Sequence, residues 1–222
     1  MMKFCLPAFA LVLALSGSSA YASDRSATPA QAAAPAQSVV PAAMQSDDKT
    51  QPSYDMKGQA LVDMDQVRQK FVALAEAVPA EKYSWRPGEG VRSIGEVYLH
   101  IAAANHNIPT MMGTAAIPKY MAKDFQTSVA EKKKIVDEVN ESFLFAIAEI
   151  KKMSNADFAK PEKALGPDAN AGDVIYILVT HAHEHLGQSI AYARMVGVTP
   201  PWTVAAEKEA AKKKAAAAPD KD

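Results

Sequence analysis

The sequence predicts an all-α fold, an up-down four-helix bundle flanked by a disordered N-terminal leader and a C-terminal tail. Four segments carry large apolar residues at the three-and-four spacing of an amphipathic helix. No stretch shows the period-two alternation with β-branched enrichment that is typical of a strand. The breaks between the segments contain proline and glycine. Four long helices without strands pack most economically as a bundle.

The first helix is predicted from Asp55 to about Val78, where Pro79 ends it. Its apolar stripe consists of Leu61, Met64, Val67, Phe71, Leu74 and Val78. The segment 83–90 contains a proline and two glycines, which predict a loop. Ser93 then caps the second helix, and Glu96, three residues later, completes a capping box. That helix carries Ile94, Val97, Ile101, Ala104 and Ile108 on one face, and Pro109 closes it.

The segment 111–126 contains Gly113 and Pro118, so we expect a connection, with a short helix as the alternative. A second capping box, Ser128 with Glu131, is predicted to open the third long helix, which ends at Ser154 or the next residue. The apolar face of this helix consists of Ile135, Val139, Phe143, Ala146, Ile147 and Ile150.

The fourth long helix is predicted to start at Asn170, with Asp173 three residues later, and to continue to about Met195. Gly197 is the expected left-handed residue after its end. The following pair of prolines, 200–201, is expected to prevent the helix from resuming.

The termini differ from the bundle in composition. Residues 1–22 have the charged start, apolar middle and Ala-Tyr-Ala end of a secretory signal peptide, with cleavage predicted after Ala22. We therefore expect a periplasmic or secreted protein without a membrane anchor, and without a thiol, because the only cysteine is Cys5. Residues 23–53, rich in Ala and Pro, predict a disordered leader, and 54–203 the bundle domain. Residues 204–222 predict a Lys/Ala-rich tail, either a solvated helix or unstructured.

The formal net charge of −1 gives no electrostatic argument for binding nucleic acid or an anionic membrane. The run of three lysines at 132–134 is interpreted as the solvated face of a helix.

Histidine carries the strongest chemical signal in the chain. His181 and His185 lie one helical turn apart on one face, so they can chelate a single ion. His100 lies beside the apolar stripe of the second helix, where a buried imidazole needs a partner. The three residues predict a site for a divalent transition metal, zinc with nickel, iron or manganese as alternatives. Two surface histidines are the competing interpretation of the pair.

Other polar residues near this pattern are weaker candidates. His183 and His106 lie off the ligand faces, and His183 is expected to face solvent or a subunit contact. Glu184 is a candidate base, with a solvated helix carboxylate as the alternative. Gln188, three residues beyond His185, is a candidate partner for a water on the metal.

These residues, in this order, resemble the DinB-like (damage-inducible, YfiT-like) four-helix-bundle family. The resemblance runs from the Trp-x-Pro at 85–87 through Ser-Ile-Gly-Glu at 93–96 to His100, and then from His181-x-x-x-His185 to the prolines at 200–201. It implies a bundle, often dimeric, in which His100, His181 and His185 bind zinc, nickel or a similar ion. Characterised relatives include metal-dependent transferases and isomerases that use low-molecular-weight thiols. Such thiols should be scarce outside the inner membrane.

The sequence therefore leads to two functional hypotheses. The first is an exported metal-dependent hydrolase or transferase acting on a small molecule, in which the ion lowers the pKa of a bound water or polarises a carbonyl. The second is a non-catalytic module that binds a metal or ligand, or an envelope stress protein. A homodimer and a monomer both remain open, as does a closed metal site that only stabilises the bundle.

Overall fold

The computed structural model describes residues 55–216, and this part of the chain is helical. Its six α-helices are α1 Met56–Ala77, α2 Ile94–Asn107, α3 Pro118–Met121, α4 Lys132–Lys152, α5 Ala171–Met195 and α6 Pro201–Ala216. Among these residues the only extended pairing is one isolated bridge, between Pro161 and Asn170. The four long helices α1, α2, α4 and α5 form the bundle, so the predicted fold class is confirmed. The predicted signal peptide and leader lie outside the described residues.

The direction of α4 follows from its contacts with α1. The Lys57 ammonium at the start of α1 donates to the backbone oxygen of Met153, just after α4, at 2.5 Å. At the other end, the Lys132 ammonium donates to the backbone oxygen of Val78 at 2.7 Å. The two helices are therefore antiparallel, and both lysines satisfy carbonyl groups that a helix end leaves without intrahelical partners.

Helix α2 runs in the same direction as α4. Near the end of α2, the Asn105 amide donates to the Ser142 hydroxyl of α4 at 3.1 Å, and beyond α2 the Thr114 hydroxyl donates to Glu149 at 2.9 Å. The connection 108–131, which includes α3, returns the chain to the end of the bundle where α2 began. Met56 and Ala60 of α1 line one cavity with Ile175 and Val179 of α5, so the starts of these two helices lie together. The bundle helices therefore run up, down, down and up, which sets α2 antiparallel to α5.

The core of the bundle is centred on aromatic side chains. Phe71 of α1 is fully buried and packs edge-on against Tyr98 of α2, with ring centroids 6.2 Å apart. Its ring also lies 5.5 Å from that of Phe143 of α4. The apolar stripes predicted for the helices supply the surrounding buried residues, among them Met64, Val67, Leu74, Val97, Ile101, Ile135, Val139 and Ile150. Burial of these stripes holds the helices together.

One of the two predicted capping boxes forms, and a further one lies at the predicted start of the fourth long helix. Ser93 caps α2 and Asn170 caps α5, each with its reciprocal acidic partner. The capping box predicted at Ser128 is wrong, because α4 begins at Lys132 and has no side-chain cap. Ser128 instead follows a short 3-10 turn at 125–127, and its hydroxyl donates to the Phe125 carbonyl at 2.8 Å. The Ser128 hydroxyl therefore bonds the backbone of the preceding turn and does not cap α4.

Removal of the Ser93 cap should lower the stability of the protein more than removal of Ser128 from its turn. We expect Ser93→Ala to lower the free energy of unfolding by about 1 kcal/mol, because it leaves an N–H at the start of α2 without its acceptor. Ser128→Ala should change it by less than about 0.5 kcal/mol. Urea denaturation followed by circular dichroism measures both. Equal effects of the two substitutions would contradict the assignment of the caps.

The chain does not stop being helical at the proline pair 200–201. The expectation that residues 200–201 prevent a further helix is wrong, because Pro201 occupies the first position of α6, where the missing N–H has no intrahelical partner. Gly197 has φ +84, which confirms the left-handed residue after α5. Of the two alternatives for the tail, the structure shows a helix as far as Ala216, exposed from Ala205 onward. None of the described helices has the length and apolarity needed to cross a membrane.

Candidate metal centre

Helices α2 and α5 bring the three predicted ligands together. Because the helices are antiparallel, His100 near the middle of α2 faces His181 and His185 of α5. One ring nitrogen from each imidazole can be chosen so that all three lie within 4.8 Å of one another. The Nε2 atoms of His100 and His181 are 3.2 Å apart. All three residues are half-buried, so the cluster lies at the wall of the bundle and not in its centre.

The surroundings keep His100 and His181 in the form that binds metal. Burial is the main cause that lowers the pKa of His100 to about 3, with a further contribution from the nearby charge of Arg92. Burial likewise lowers the pKa of His181 to about 4, with the neighbouring His185 adding to the effect. Neutral imidazoles have a lone pair available near pH 7. In addition, the Nδ1 atom of His181 is buried and has no hydrogen-bond partner.

The donor set therefore fits a transition-metal ion. Three imidazole nitrogens on two helices suit zinc, nickel or iron, and they would leave further coordination positions to other groups. A polar atom that is buried without a partner destabilises the fold. An ion coordinated by the cluster would give its imidazole nitrogens a partner.

Gln188 holds His185 in position. Its side-chain oxygen lies 2.7 Å from Nδ1 of His185, and its nitrogen donates to the Tyr192 hydroxyl at 3.1 Å. The Tyr192 ring in turn packs edge-on against Trp85, with centroids 5.5 Å apart. A proton on Nδ1 of His185 leaves Nε2 free for a metal. Gln188, predicted as the partner of a bound water, thus contacts a ligand directly.

His100 has an outer partner that the sequence did not reveal. The side-chain nitrogen of Gln126 lies 3.3 Å from Nδ1 of His100, and the side-chain oxygen of Gln126 accepts a hydrogen bond from Nε of Arg92 at 2.7 Å. Both residues belong to the segments flanking α2 and not to a helix face, so no periodicity pointed to them.

The family model of the DinB superfamily matches residues 63–189, a range that contains all three histidines. The chain belongs to the DinB superfamily. Comparison with curated protein sequences gave no match.

Two solved DinB-type structures show the same fold. A DinB-like protein from Bacillus cereus is 18% identical, with a TM-score of 0.57, covering 65% of this chain and 95% of that one. YfiT from Bacillus subtilis, a probable metal-dependent hydrolase with an unusual four-helix bundle topology, is 14% identical, with a TM-score of 0.52. That match covers 68% of this chain and 94% of YfiT. At these identities the similarity establishes the bundle fold alone.

The remaining candidates from the sequence lie outside the histidine cluster of this DinB superfamily chain. Glu184 is exposed, and its charge partly offsets the lowering of the pKa of His181. His183 is exposed on the far side of α5, as predicted. His106 is buried away from the cluster and stacks on Tyr120, with ring centroids 3.7 Å apart and no hydrogen bond to either ring nitrogen.

Loss of Gln188 should weaken metal binding without abolishing it. We expect Gln188→Ala to reduce zinc affinity by about 10- to 100-fold, because the orientation and proton position of His185 depend on that amide. Gln69→Ala on α1, where the exposed amide bonds Asp65, is the matched control and should leave affinity unchanged. Competition with a chromophoric chelator measures both affinities, and equal values would contradict the positioning role.

The buried His106 should make stability fall in acid. Burial lowers its pKa to about 4, with Glu138 opposing and Lys119 adding to this effect. Between pH 6.5 and about 4 the unfolded chain binds a proton that the folded chain does not, so stability decreases as pH falls through this window. We expect His106→Phe to gain stability relative to the wild type as pH falls from 7 to 5. Urea midpoints measure the difference, which the exposed control His183→Phe should not show.

Proposed function

We propose that the protein is an exported metal-dependent hydrolase of a small molecule, with transferase chemistry as the alternative at the same site. His100, His181 and His185 would hold a divalent transition metal, zinc first, with nickel, iron or manganese as alternatives. The observation that supports this is the convergence of three imidazole nitrogens within 4.8 Å. The ion would supply Lewis-acid polarisation of a substrate carbonyl and a lower pKa for water.

The side chains around the cluster have separable tasks in this proposal. Gln188 and Tyr192 keep the His185 ring oriented. Trp85, half-buried against Tyr192, supplies an apolar wall for a substrate. Glu184, on the solvent side of α5, is the carboxylate that we propose accepts a proton from the attacking water.

Removal and return of the metal test the proposal. The purified protein is treated with chelator, reloaded with zinc, nickel or manganese, and assayed against a panel of small esters, amides and lactones. We expect hydrolysis that is lost on chelation and restored by at least one ion. Failure to hold about one ion per chain, or turnover that is independent of metal, would overturn it.

A non-catalytic metal-binding or envelope stress module is the second candidate. It is favoured by the exposure of Glu184, and by the engagement of the Gln188 amide oxygen with His185, since that oxygen is then not available to a water on the metal. Stoichiometric metal without turnover in any member of the panel would support this candidate over the enzyme.

Export is a separate part of the proposal and rests on the signal-peptide pattern of residues 1–22. A fusion of residues 1–53 to an alkaline phosphatase without its own signal should be active outside the cytoplasm. Deletion of residues 2–16 should abolish that activity.

A further inference from the structure

Four side chains form a line of hydrogen-bonding contacts that begins at Arg92 and ends in the histidine cluster. Nε of Arg92 donates to the side-chain oxygen of Gln126 at 2.7 Å, and the side-chain nitrogen of Gln126 lies 3.3 Å from Nδ1 of His100. At the other edge of that ring, Nε2 of His100 lies 3.2 Å from Nε2 of His181. The line therefore connects an exposed arginine just before α2 with a histidine of α5.

The arginine fixes the direction of each hydrogen bond in this line. A guanidinium has donors only, so the amide atom 2.7 Å from Nε of Arg92 is the oxygen, and the amide nitrogen faces His100. Because an amide nitrogen also only donates, Nδ1 of His100 accepts. A neutral imidazole that accepts at one nitrogen carries its proton on the other. Nε2 of His100 therefore bears the proton and donates to Nε2 of His181.

This tautomer of His100 has no lone pair on Nε2 with which to bind a metal. His185 has the opposite arrangement, because the side-chain oxygen of Gln188 accepts from its Nδ1 at 2.7 Å, which leaves the lone pair on Nε2. His181 also keeps a lone pair on Nε2, since it accepts there from His100. Of the three candidate ligands, His100 alone must move its proton before all three Nε2 atoms can bind one ion.

We propose that Gln126 is a positioning residue that sets the tautomer of His100, and that Arg92 holds Gln126 in the orientation that opposes metal binding. This inference rests on the proposed function, since it concerns metal loading of the same site. For Nδ1 of His100 to carry the proton, the Gln126 amide must turn its oxygen toward the imidazole. The amide nitrogen would then face Nε of Arg92, and two donors cannot bond each other.

Metal loading and the hydrogen bond between Arg92 and Gln126 are therefore mutually exclusive. Arg92 is exposed, so its guanidinium can turn into solvent when the amide turns. Loss of the bond subtracts from the affinity for metal, because a hydrogen bond from a charged donor is stronger than one between neutral groups. Arg92 thus lowers metal affinity through Gln126, in addition to the repulsion between its charge and the ion.

A double-mutant cycle on zinc affinity separates these two effects of Arg92. The variants are Arg92→Leu, Gln126→Leu and the double variant, since leucine has neither a charge nor a hydrogen-bonding group. Charge repulsion acts with and without Gln126, so it cancels from the coupling, whereas the hydrogen bond requires Gln126. Competition with a chromophoric chelator measures the four affinities. Arg194→Leu, which removes the same charge from an exposed position of α5, is the matched control in both backgrounds.

We expect Arg92→Leu to raise zinc affinity by about 10-fold more when Gln126 is present than in the Gln126→Leu background. Arg194→Leu should have the same effect in both backgrounds. Equal effects of Arg92→Leu in the two backgrounds, or a lower zinc affinity on its introduction into the wild type, would overturn the proposal.

Nitrogen-15 NMR of the imidazoles measures the tautomer directly, and a purely structural role of Gln126 would not set it. After chelator treatment, His100 should have its proton on Nε2 in the wild type and should populate both tautomers in Gln126→Leu. Addition of zinc should move the wild-type proton to Nδ1. The His100→Asn variant identifies the resonances. A proton on Nδ1 of His100 in the chelator-treated wild type would overturn the proposal.

The two measurements distinguish failure of this inference from failure of the proposed function. If zinc binds but the affinities show no coupling, the site holds metal and the role assigned to Arg92 is wrong. If the wild type binds no zinc, the proposed function fails, and the opposition to metal binding fails with it. The positioning role of Gln126 is then decided by the tautomer of His100 in the wild type and in Gln126→Leu.

Discussion

Replacement of His181 with alanine is expected to remove stoichiometric zinc from the protein. His181 and His185 would chelate one ion through a single turn of α5, and without His181 only His185 and His100 would offer nitrogens. Loss of a direct ligand should exceed the effect of losing an outer residue, so affinity should fall by more than about 100-fold. Elemental analysis after gel filtration, together with chelator competition, measures the change.

The matched control for this experiment is His183→Ala. His183 lies two residues away on the exposed side of the same helix, so its removal should leave zinc content and affinity unchanged. Zinc should raise the melting temperature of the wild type and of His183→Ala but not of His181→Ala, because a ligand stabilises only the state that binds it. Wild-type zinc affinity in His181→Ala would contradict the ligand assignment.

Phe71→Ala is expected to produce the largest loss of stability in the bundle. The side chain has no exposed surface and lies between Tyr98 of α2 and Phe143 of α4, so its removal leaves a cavity where three helices meet. Such substitutions lower the free energy of unfolding by about 3 to 5 kcal/mol. Chemical denaturation, followed by circular dichroism at 222 nm as is usual for helices, measures the loss.

Leu144→Ala on α4 is the comparison for Phe71→Ala. Leu144 is 48% exposed, so its truncation removes little buried surface and should cost less than about 1 kcal/mol. If Phe71→Ala cost no more than Leu144→Ala, the contact between the three aromatic rings would not be the centre of the core.

Local sequence patterns predicted the helices correctly where the pattern is compatible with only one local structure. The stripe of α1 and the caps at Ser93 and Asn170 were correct, because apolar spacing and a paired capping box both favour the same local structure. The serine pattern at Ser128 failed because a preceding turn competes for the same hydroxyl. The prediction that the proline pair stops the helix failed for a different reason. A proline after one helix can also occupy the first position of the next, as Pro201 does in α6.

The chelating pair was accessible from sequence for the same local reason. The spacing of His181 and His185 places both imidazoles on one face of any helix that contains them. That spacing leaves open whether the pair meets a third ligand, because the distance from α5 to His100 depends on the direction and packing of another helix. The antiparallel arrangement of α2 and α5 supplies that third imidazole.

The sequence by itself determined an all-α bundle, the approximate positions of its long helices and the residue types of a nitrogen-rich candidate metal site. These properties depend on interactions within one or two turns of helix, which periodicity reports directly. Only the tertiary structure decided that α2 and α4 run in the same direction, that Gln188 bonds His185, and that Gln126 and Arg92 stand behind His100. Gln126 and Arg92 belong to segments outside the long helices, and the positions of these segments follow from long-range packing. No local spacing in the sequence encodes such contacts.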